Sequence, residues 1–400
     1  MTSLLRTSWR SLIAGVASTA LLGTAVLGQA PATHAGASPG KDERAGAVLS
    51  VGTLKRSIWI PGSTRRAFKL TYATTDAFGK PTTSTGTVML PKGRAPRGGW
   101  PVMSWAHGTS GLADACAPSR IGPALPQRDW HYLRTWMNQG YAIVASDYAG
   151  LGTPGKHAYL DARTTAHNVV DMVRAAQAFS RSRLPAGDRL AKKWVVIGQS
   201  QGGGAAIATA SFATEFGGPG LDFRGGVGTG TPAYIELLVS AAGPGVLPVD
   251  ASPALTTYLL YILAGMRFAH PELDIDSAMT GTGARLLDAA ERLCGHDMEE
   301  EVTGTAIGQL FSRPLASLPG FVQTAREYMG MPETSFEQPI FMANGLLDTD
   351  VPMETTAAYA AVLTAGGADV TFRSYPGTHN STMAMSLPDS VPFVRELFRD

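Results

Sequence analysis

The sequence predicts an α/β fold in which helices cover both faces of a mostly parallel central sheet. Short apolar runs, typical of strands buried on both faces, occur at residues 101–106, 141–145 and 194–197. Segments with a helical period lie between and after these runs, at residues 164–179 and 202–216. We expect a parallel sheet because strands that alternate with helices usually pair in parallel.

The alternation of strands and helices stops after about residue 232. Residues 233–335 have a helical but irregular pattern, interrupted by proline and glycine, and strand-like sequence returns at residues 339–343 and 370–375. This pattern indicates a helical cap inserted into a sheet domain. The expected organisation is a first part of the core at residues 38–232, the cap at 233–335 and a second part of the core at 336–400.

Composition excludes two classes of protein. Hydrophobic residues make up 44% of the 400 residues and charged residues only 16%, which excludes a charge-rich disordered chain. Lys and Arg number 33 against 32 Asp and Glu, for a net charge of +1. A general nucleic-acid binder needs a basic excess, so no nucleic-acid partner is expected.

The N-terminus has the order of a secretory signal peptide. Arg6 and Arg10 precede an uncharged, mostly apolar stretch at residues 11–28, and small-residue cleavage patterns follow at residues 30–32 and 35–37. We therefore predict that residues 1–37 direct the protein to secretion and are removed. The alternative is an uncleaved membrane anchor, for which the stretch is near the lower length limit.

The chain contains two cysteines, Cys116 and Cys294. An even number of cysteines in an exported chain predicts one disulfide bond between them. The alternative is a pair of buried free thiols.

A G-x-S-x-G pattern at residues 198–202 places Ser200 at its centre. In this pattern a sharp strand-to-helix turn exposes a serine hydroxyl, and the crowded turn needs small residues on both sides. Residues 36–40 also match, but they lack a strand before them and a helix after them. Ser200 has both, so we predict that it is a nucleophile. The alternative is a purely structural turn.

A serine nucleophile needs a general base, and in the order Ser, Asp/Glu, His that base follows the acid near the C-terminus. Three histidines follow Ser200. His270 and His296 lie in the inserted region, whereas His379 lies in a Gly/Pro loop directly after a predicted strand. We therefore predict His379 as the base.

The acid that orients this base should follow the preceding strand. Asp348 comes first after residues 339–343 and precedes His379 by 31 positions (379 − 348). Asp350 is the alternative acid, and a turn-forming role is the alternative for Asp348.

An oxyanion hole needs two hydrogen-bond donors. The backbone N–H of Gln201, the residue after the nucleophile, is the first predicted donor. The backbone N–H of Thr109, in the His107-Gly108 loop after an early strand, is the second, with a plain tight turn as the alternative.

The cap also contains the expected acyl pocket. Its candidate residues share one apolar helical segment, and packing inside the cap is the alternative for each of them. They are Tyr258, Leu259, Tyr261, Ile262, Leu263 and Met266. Neither a metal nor another cofactor is expected, because no paired Cys/His pattern occurs and the glycine-rich residues 225–230 do not have dinucleotide or Walker spacing.

Several motifs together resemble the secretory lipase family of α/β-hydrolases, which has fungal and bacterial members. They occur in order along most of the chain, at residues 85–91 (TGTVMLP), 105–109 (WAHGT), 115–119 (ACAPS), 146–154 (SDYAGLGTP), 198–204 (GQSQGGG) and 345–352 (GLLDTDVP), followed by His379. The resemblance implies the α/β-hydrolase fold with an eight-stranded core sheet and a helical cap. It also implies ester hydrolysis without a metal or cofactor, with Ser200, Asp348 and His379 as the triad.

The predicted function is therefore that of an exported serine hydrolase acting on carboxylic esters, with a small-molecule or lipid ester as substrate and transient contact with a lipid surface. Three alternatives remain open. The same triad can hydrolyse peptides or transfer the acyl group to an alcohol, and the fold can also serve a non-catalytic binding protein.

Overall fold

One sheet of nine strands organises residues 44–245 and 252–399, the part of the chain that the computed structural model describes. The predicted signal peptide at residues 1–37 lies outside the described residues. The strands, in chain order, are β1 (Val48–Thr53), β2 (Thr64–Thr75), β3 (Pro81–Pro91), β4 (Trp100–Ala106), β5 (Ala142–Ser146), β6 (Leu190–Gln199), β7 (Asp222–Thr229), β8 (Ile340–Gly345) and β9 (Val370–Tyr375).

The strands lie in the order β1-β2-β3-β5-β4-β6-β7-β8-β9. The pairs from β5 to β9 are parallel, whereas β1, β2 and β3 pair antiparallel with their neighbours. The predicted α/β-hydrolase fold, with a mostly parallel sheet, is thus confirmed. The eight strands that the resemblance implied are corrected to nine within the described residues, because β1 extends the antiparallel edge by pairing along β2.

Twelve helices accompany the sheet in the described residues. They are α1 (Pro118–Ile121), α2 (Pro126–Asn138), α3 (Ala162–Arg183), α4 (Gln201–Gly217), α5 (Ile235–Ser240), α6 (Pro253–Ala269), α7 (Gly281–Ala290), α8 (Gly295–Val302), α9 (Phe321–Met329), α10 (Met353–Ala365), α11 (His379–Met385) and α12 (Leu387–Leu397). No helix in residues 44–245 and 252–399 combines the length and the hydropathy that crossing a bilayer requires.

Strand β6 shows how helices come to cover both faces. Side chains alternate between the faces of a strand, so Trp194 and Val196 pack into the core formed with α3, α4 and α10. Their neighbours Val195 and Ile197 pack into the opposite core, formed with α2, α11 and α12. A continuous apolar run is therefore the sequence that a strand between two helical layers requires.

Helices α5 to α9 lie between β7 and β8 and enclose an apolar core of their own. Helix α6 contributes most to it, because its side chains are apolar around much of the circumference and eleven of its residues are buried. Three residues that the sequence suggested for the acyl pocket, Tyr261, Leu263 and Met266, pack inside this core.

A disulfide bond between Cys116 and Cys294 joins the loop after β4 to the residue that precedes α8. Backbone contacts accompany it, since Gly111 forms an isolated antiparallel bridge with Cys294 and the Gly295 N–H donates to the Ser110 carbonyl at 3.1 Å. The cross-link therefore connects the capping helices to the core beside the His107-Gly108 loop.

We expect the double variant Cys116→Ser/Cys294→Ser to unfold at a lower urea concentration than the wild type. The bond closes a sequence separation of 178 residues, for which chain entropy gives an upper value of about 5 kcal/mol in the free energy of unfolding. Urea titration followed by tryptophan fluorescence measures the change. Reduced wild type should match the variant, and the variant should not respond to reductant. Equal midpoints for the variant and the oxidised wild type would contradict the stabilising role.

Candidate active site

Ser200 lies at the tight turn between β6 and α4, with the left-handed φ of 61° that few non-glycine residues adopt. Two close approaches surround this turn. A Cβ added at Gly198 would overlap the Gly202 carbonyl oxygen, and one added at Gly202 would overlap the Ala106 carbonyl oxygen of β4. Glycine on both sides of the serine is therefore required by backbone packing.

Hydrogen bonds hold the Ser200 backbone in this conformation. Its N–H donates to the Thr229 carbonyl at 2.9 Å, and its carbonyl accepts from the Gly204 N–H at 3.0 Å. Both backbone groups are thus occupied, and the partly exposed Ser200 side chain lines a cavity.

Asp348 and His379 form a buried hydrogen-bonded pair. The Asp348 Oδ2 lies 2.8 Å from the His379 Nδ1, and the two side chains are 0% and 6% exposed. The Asp348 Oδ1 accepts from the backbone N–H groups of Asp350 at 3.0 Å and Val351 at 2.8 Å. These bonds compensate the carboxylate for its lost hydration, and its loop orients it toward the histidine ring.

The arrangement separates the two aspartates that the sequence left as candidates. Asp348 contacts His379, whereas Asp350 supplies a backbone N–H to Asp348 and lines the cavity beside Ser200. Among the described residues, the buried His379 Nε2 has no hydrogen-bond partner. The nitrogen opposite the Asp348 contact is therefore available to accept a proton.

His379 is the first residue of α11, and its backbone carbonyl accepts from the Gln199 side chain at 3.1 Å. Its ring packs on Gly230, where an added Cβ would lie 2.9 Å from the ring Cε1. Because Thr229 binds the Ser200 N–H, residues 229–230 contact both the Ser200 backbone and the His379 ring. These residues belong to the glycine-rich segment 225–230, which forms the end of β7 and the turn after it.

Arg128 on α2 contacts Asn380, the residue that follows His379. Its Nη1 donates to the Asn380 side chain at 2.6 Å, and its Nε donates to Asp129 at 2.8 Å. Burial raises the pKa of the Asp129 carboxyl, and the charge of Arg128 opposes that rise. Sequence reasoning missed this contact, because the pairing of Arg128 with a residue 252 positions later has no local signal.

The two predicted oxyanion donors belong to adjacent segments. Gln201 begins α4, so its backbone N–H has no partner within the helix. The end of β4 packs against that first turn, since Gly202 approaches the Ala106 and His107 carbonyls. The loop that carries Thr109 therefore begins directly beside Gln201.

Two residues not predicted from the sequence contact the side chains of these donors. The Tyr159 hydroxyl lies 2.6 Å from the Thr109 hydroxyl, and the His157 Nε2 lies 2.9 Å from the Gln201 Nε2. His157 precedes Ser200 in the chain, so the order Ser, Asp/Glu, His does not select it as a base. The only feature of the sequence that links His157 to Tyr159 is their separation of two positions.

A mostly apolar cavity of about 180 Å³ opens beside Ser200. Three of the predicted pocket residues, Tyr258, Leu259 and Ile262, line it, and the last two of these also belong to the core inside the cap. The other three pack in that core without lining the cavity. The remaining lining residues come from α5 and its flanking loops, from the starts of α4 and α6, and from three other segments: Tyr159, Leu160, Gln201, Pro232, Ile235, Leu238, Val239, Ala242, Leu255, Ile307, Asp350 and Val351. The cavity can therefore accept an apolar group beside the Ser200 side chain.

Within the two described ranges, no group of three or more His, Cys, Asp or Glu side chains is placed to hold a metal ion. The chemistry that this site can perform with its own groups is proton transfer at His379, nucleophilic attack by a hydroxyl, and stabilisation of an anion by backbone N–H groups.

Solved structures with this architecture include lipases and esterases. The chain aligns with Candida antarctica lipase A at a TM-score of 0.71 and 21% identity, over 89% of this chain and 82% of that one. It aligns with the rice cell wall degrading esterase LipA from Xanthomonas oryzae at a TM-score of 0.67 and 19% identity, over 88% of this chain and 98% of that one. At such identities the likeness shows the fold.

Two relatives match in sequence. Lipase A of Moesziomyces aphidis is 25% identical over 358 residues, which covers 83% of this chain and 72% of the relative. A Mycobacterium tuberculosis protein named as a probable inactive lipase is 24% identical over 348 residues, which covers 83% of this chain and 73% of the relative. The sequence profile of the secretory lipase family matches residues 117–399, so the chain belongs to the secretory lipase family.

Proposed function

We propose that this protein is a secreted serine hydrolase that cleaves carboxylic esters through a covalent acyl-enzyme. The observation that carries the proposal is the buried Asp348–His379 pair, in which the His379 Nε2 has no hydrogen-bond partner among the described residues. Ser200, at the turn between β6 and α4, lines an apolar cavity. Membership of the secretory lipase family supports the same chemistry.

Acylation begins when the His379 Nε2 takes the proton of the Ser200 hydroxyl as the oxygen attacks the ester carbonyl. The carbonyl oxygen becomes an oxyanion, which the backbone N–H groups of Gln201 and Thr109 stabilise. When the tetrahedral intermediate collapses, the C–O bond to the alcohol breaks and His379 gives its proton to the departing oxygen. Asp348 holds the ring in the tautomer with hydrogen on Nδ1 and stabilises the imidazolium.

Deacylation repeats these steps with water. His379 takes a proton from the water as its oxygen attacks the acyl-enzyme, and a second tetrahedral intermediate forms. Its collapse releases the carboxylic acid and returns the proton to Ser200.

The apolar lining of the cavity favours an acyl chain there. Its volume of about 180 Å³ is below the range of about 300–1,000 Å³ common for ligand pockets, which favours short or medium chains.

Export is part of the proposal. The apolar N-terminal segment supports it, and so does the disulfide bond, since such bonds persist in oxidising compartments. Sequencing the N-terminus of protein recovered from the culture medium tests it, and a retained residue 1 would count against cleavage.

We expect wild-type protein to hydrolyse p-nitrophenyl esters in a series from acetyl to palmitoyl, with the highest kcat/KM at short or medium chains. Ser200→Ala should lose this turnover, keeping at most about 10³–10⁴-fold over the uncatalysed rate. Ser182→Ala, at the exposed end of α3, is the matched control and should retain wild-type rates. Absence of turnover by the wild type on every ester would refute the proposal, which matters because one relative is named as inactive.

The two aspartates should respond differently to the same substitution. Asp348→Asn keeps the size of the side chain but removes the charge that holds the His379 tautomer, so kcat should fall by about 10⁴-fold. Asp350→Asn leaves its backbone N–H bond to Asp348 in place and should change kcat by less than about tenfold. Steady-state kinetics on one p-nitrophenyl ester decides between them, and a larger loss for Asp350→Asn would reverse the assignment.

Ile262 and Leu263, neighbours on α6, both pack in the cap core, but of the two only Ile262 also lines the cavity. Ile262→Ala should enlarge the cavity and move the preferred chain length upward in the ester series. Leu263→Ala is the matched control, which costs about 2–5 kcal/mol of stability as a core truncation but leaves the preference unchanged. Equal chain-length profiles for wild type and Ile262→Ala would place the acyl chain elsewhere.

A further inference from the structure

One short segment contacts both residues that the proposed mechanism uses as oxyanion donors. The segment is residues 157–159, which follow the glycine-rich turn after β5. His157 meets the Gln201 side chain at 2.9 Å, and Tyr159 meets the Thr109 hydroxyl at 2.6 Å. Thr109 and Gln201 belong to different strand–helix connections, so this segment joins two loops through their side chains.

His157 is fixed on both ring nitrogens. Burial, with a smaller effect from the neighbouring His107, lowers the pKa of His157 to about 3, so the ring is neutral near pH 7. A neutral imidazole donates from one nitrogen and accepts at the other. Its Nδ1–H donates to the Ala149 carbonyl at 3.2 Å, and its Nε2 accepts from the Gln201 amide. The ring also stacks on Tyr148 at 5.6 Å between centroids.

Tyr159 is held as firmly. Its side chain is buried, and burial raises the pKa of its hydroxyl, which therefore keeps its proton for the Thr109 bond. Its backbone carbonyl accepts from the Tyr328 hydroxyl of α9 at 2.9 Å, and its ring contacts Tyr261 of α6 edge-on at 5.8 Å. The capping helices thus hold Tyr159 from the side opposite Thr109.

The turn before residues 157–159 restricts the backbone of that segment. Gly150 has a left-handed φ of 82°, and an added Cβ there would overlap the backbone at Lys156 and His157. The Thr153 hydroxyl donates to the Thr83 carbonyl of β3 at 2.9 Å. The segment is therefore packed against the sheet at one end and against the cap at the other.

We propose that His157 and Tyr159 are positioning residues for the oxyanion hole, which hold the Gln201 and Thr109 backbones so that both N–H groups converge on the developing charge. The proposal rests on the proposed function and concerns how the same site is aligned. Donors that are placed before reaction need no reorganisation during it, and this is the source of their catalytic effect. Neither residue transfers a proton.

Tyr159→Phe and Thr109→Val test one arm of the arrangement. Each removes one hydroxyl of the pair but keeps the ring or the backbone N–H. We expect each to lower kcat by about 10- to 100-fold, as loss of alignment does, with KM nearly unchanged. The double variant should be no slower than the slower single variant, because both changes break the same contact. Tyr359→Phe on α10, which instead loses the hydroxyl that bonds the Pro332 carbonyl, should keep wild-type kcat.

His157→Asn and Gln201→Met test the other arm in the same way. Rates are expressed per site labelled by a fluorophosphonate probe, so that misfolded protein does not count. Phenylboronic acid, which forms a tetrahedral adduct with an active-site serine, should bind each variant more weakly in proportion to the loss in kcat. A purely structural role would lower the labelled fraction and leave the kcat per site and the boronate affinity unchanged.

The outcomes separate the two proposals. If the wild type hydrolyses esters, Ser200→Ala does not, and Tyr159→Phe and His157→Asn both keep kcat per labelled site within twofold, the positioning role is wrong while the proposed function stands. If the wild type hydrolyses no ester and takes no fluorophosphonate label, the proposed function fails and the positioning role fails with it.

Discussion

The structure depends on one close backbone approach, between β4 and the first turn of α4. Gly198 and Gly202 allow it, since a Cβ at either position would overlap a carbonyl oxygen. The approach forces Ser200 into a left-handed conformation and brings the start of the Thr109 loop beside Gln201. The cost of a strained residue, about 1–3 kcal/mol, is borne because the surrounding packing and the hydrogen bonds of its backbone allow no alternative.

Burial of a carboxylate is the second constraint at this edge of the sheet. An ionised carboxyl group is costly to bury without compensation. The Asp348 side chain is fully buried and is compensated by two backbone N–H groups and by His379. Because the loops after β8 and β9 meet there through the Leu347 N–H and the Gly377 carbonyl at 2.9 Å, main-chain pairing brings Asp348 and His379 together.

Local patterns in the sequence predict the parts of the fold that local chemistry determines. Apolar runs predict the central strands, because a strand between two helical layers must be apolar on both faces. They do not predict β1, most of whose residues are exposed at an edge, or the contact of Arg128 with Asn380. On α6, Tyr258 and Tyr261 belong to the same apolar segment of the sequence, yet of the two only Tyr258 lines the cavity. Which side of a helix contacts the cavity and which contacts the core depends on packing between segments that are far apart in the chain.

Two of the contacts between the inserted helices and the rest of the described chain hold loops beside Ser200. The disulfide and the Gly295–Ser110 bond hold the loop that carries Thr109. The Tyr328 hydroxyl holds the Tyr159 backbone. Within the inserted region, α5 and α6 therefore line the apolar cavity, whereas the start of α8 and Tyr328 of α9 hold the loops beside Ser200. A sequence change inside the cap core can reach the proposed oxyanion donors through these two joints, without altering any residue that would touch the substrate.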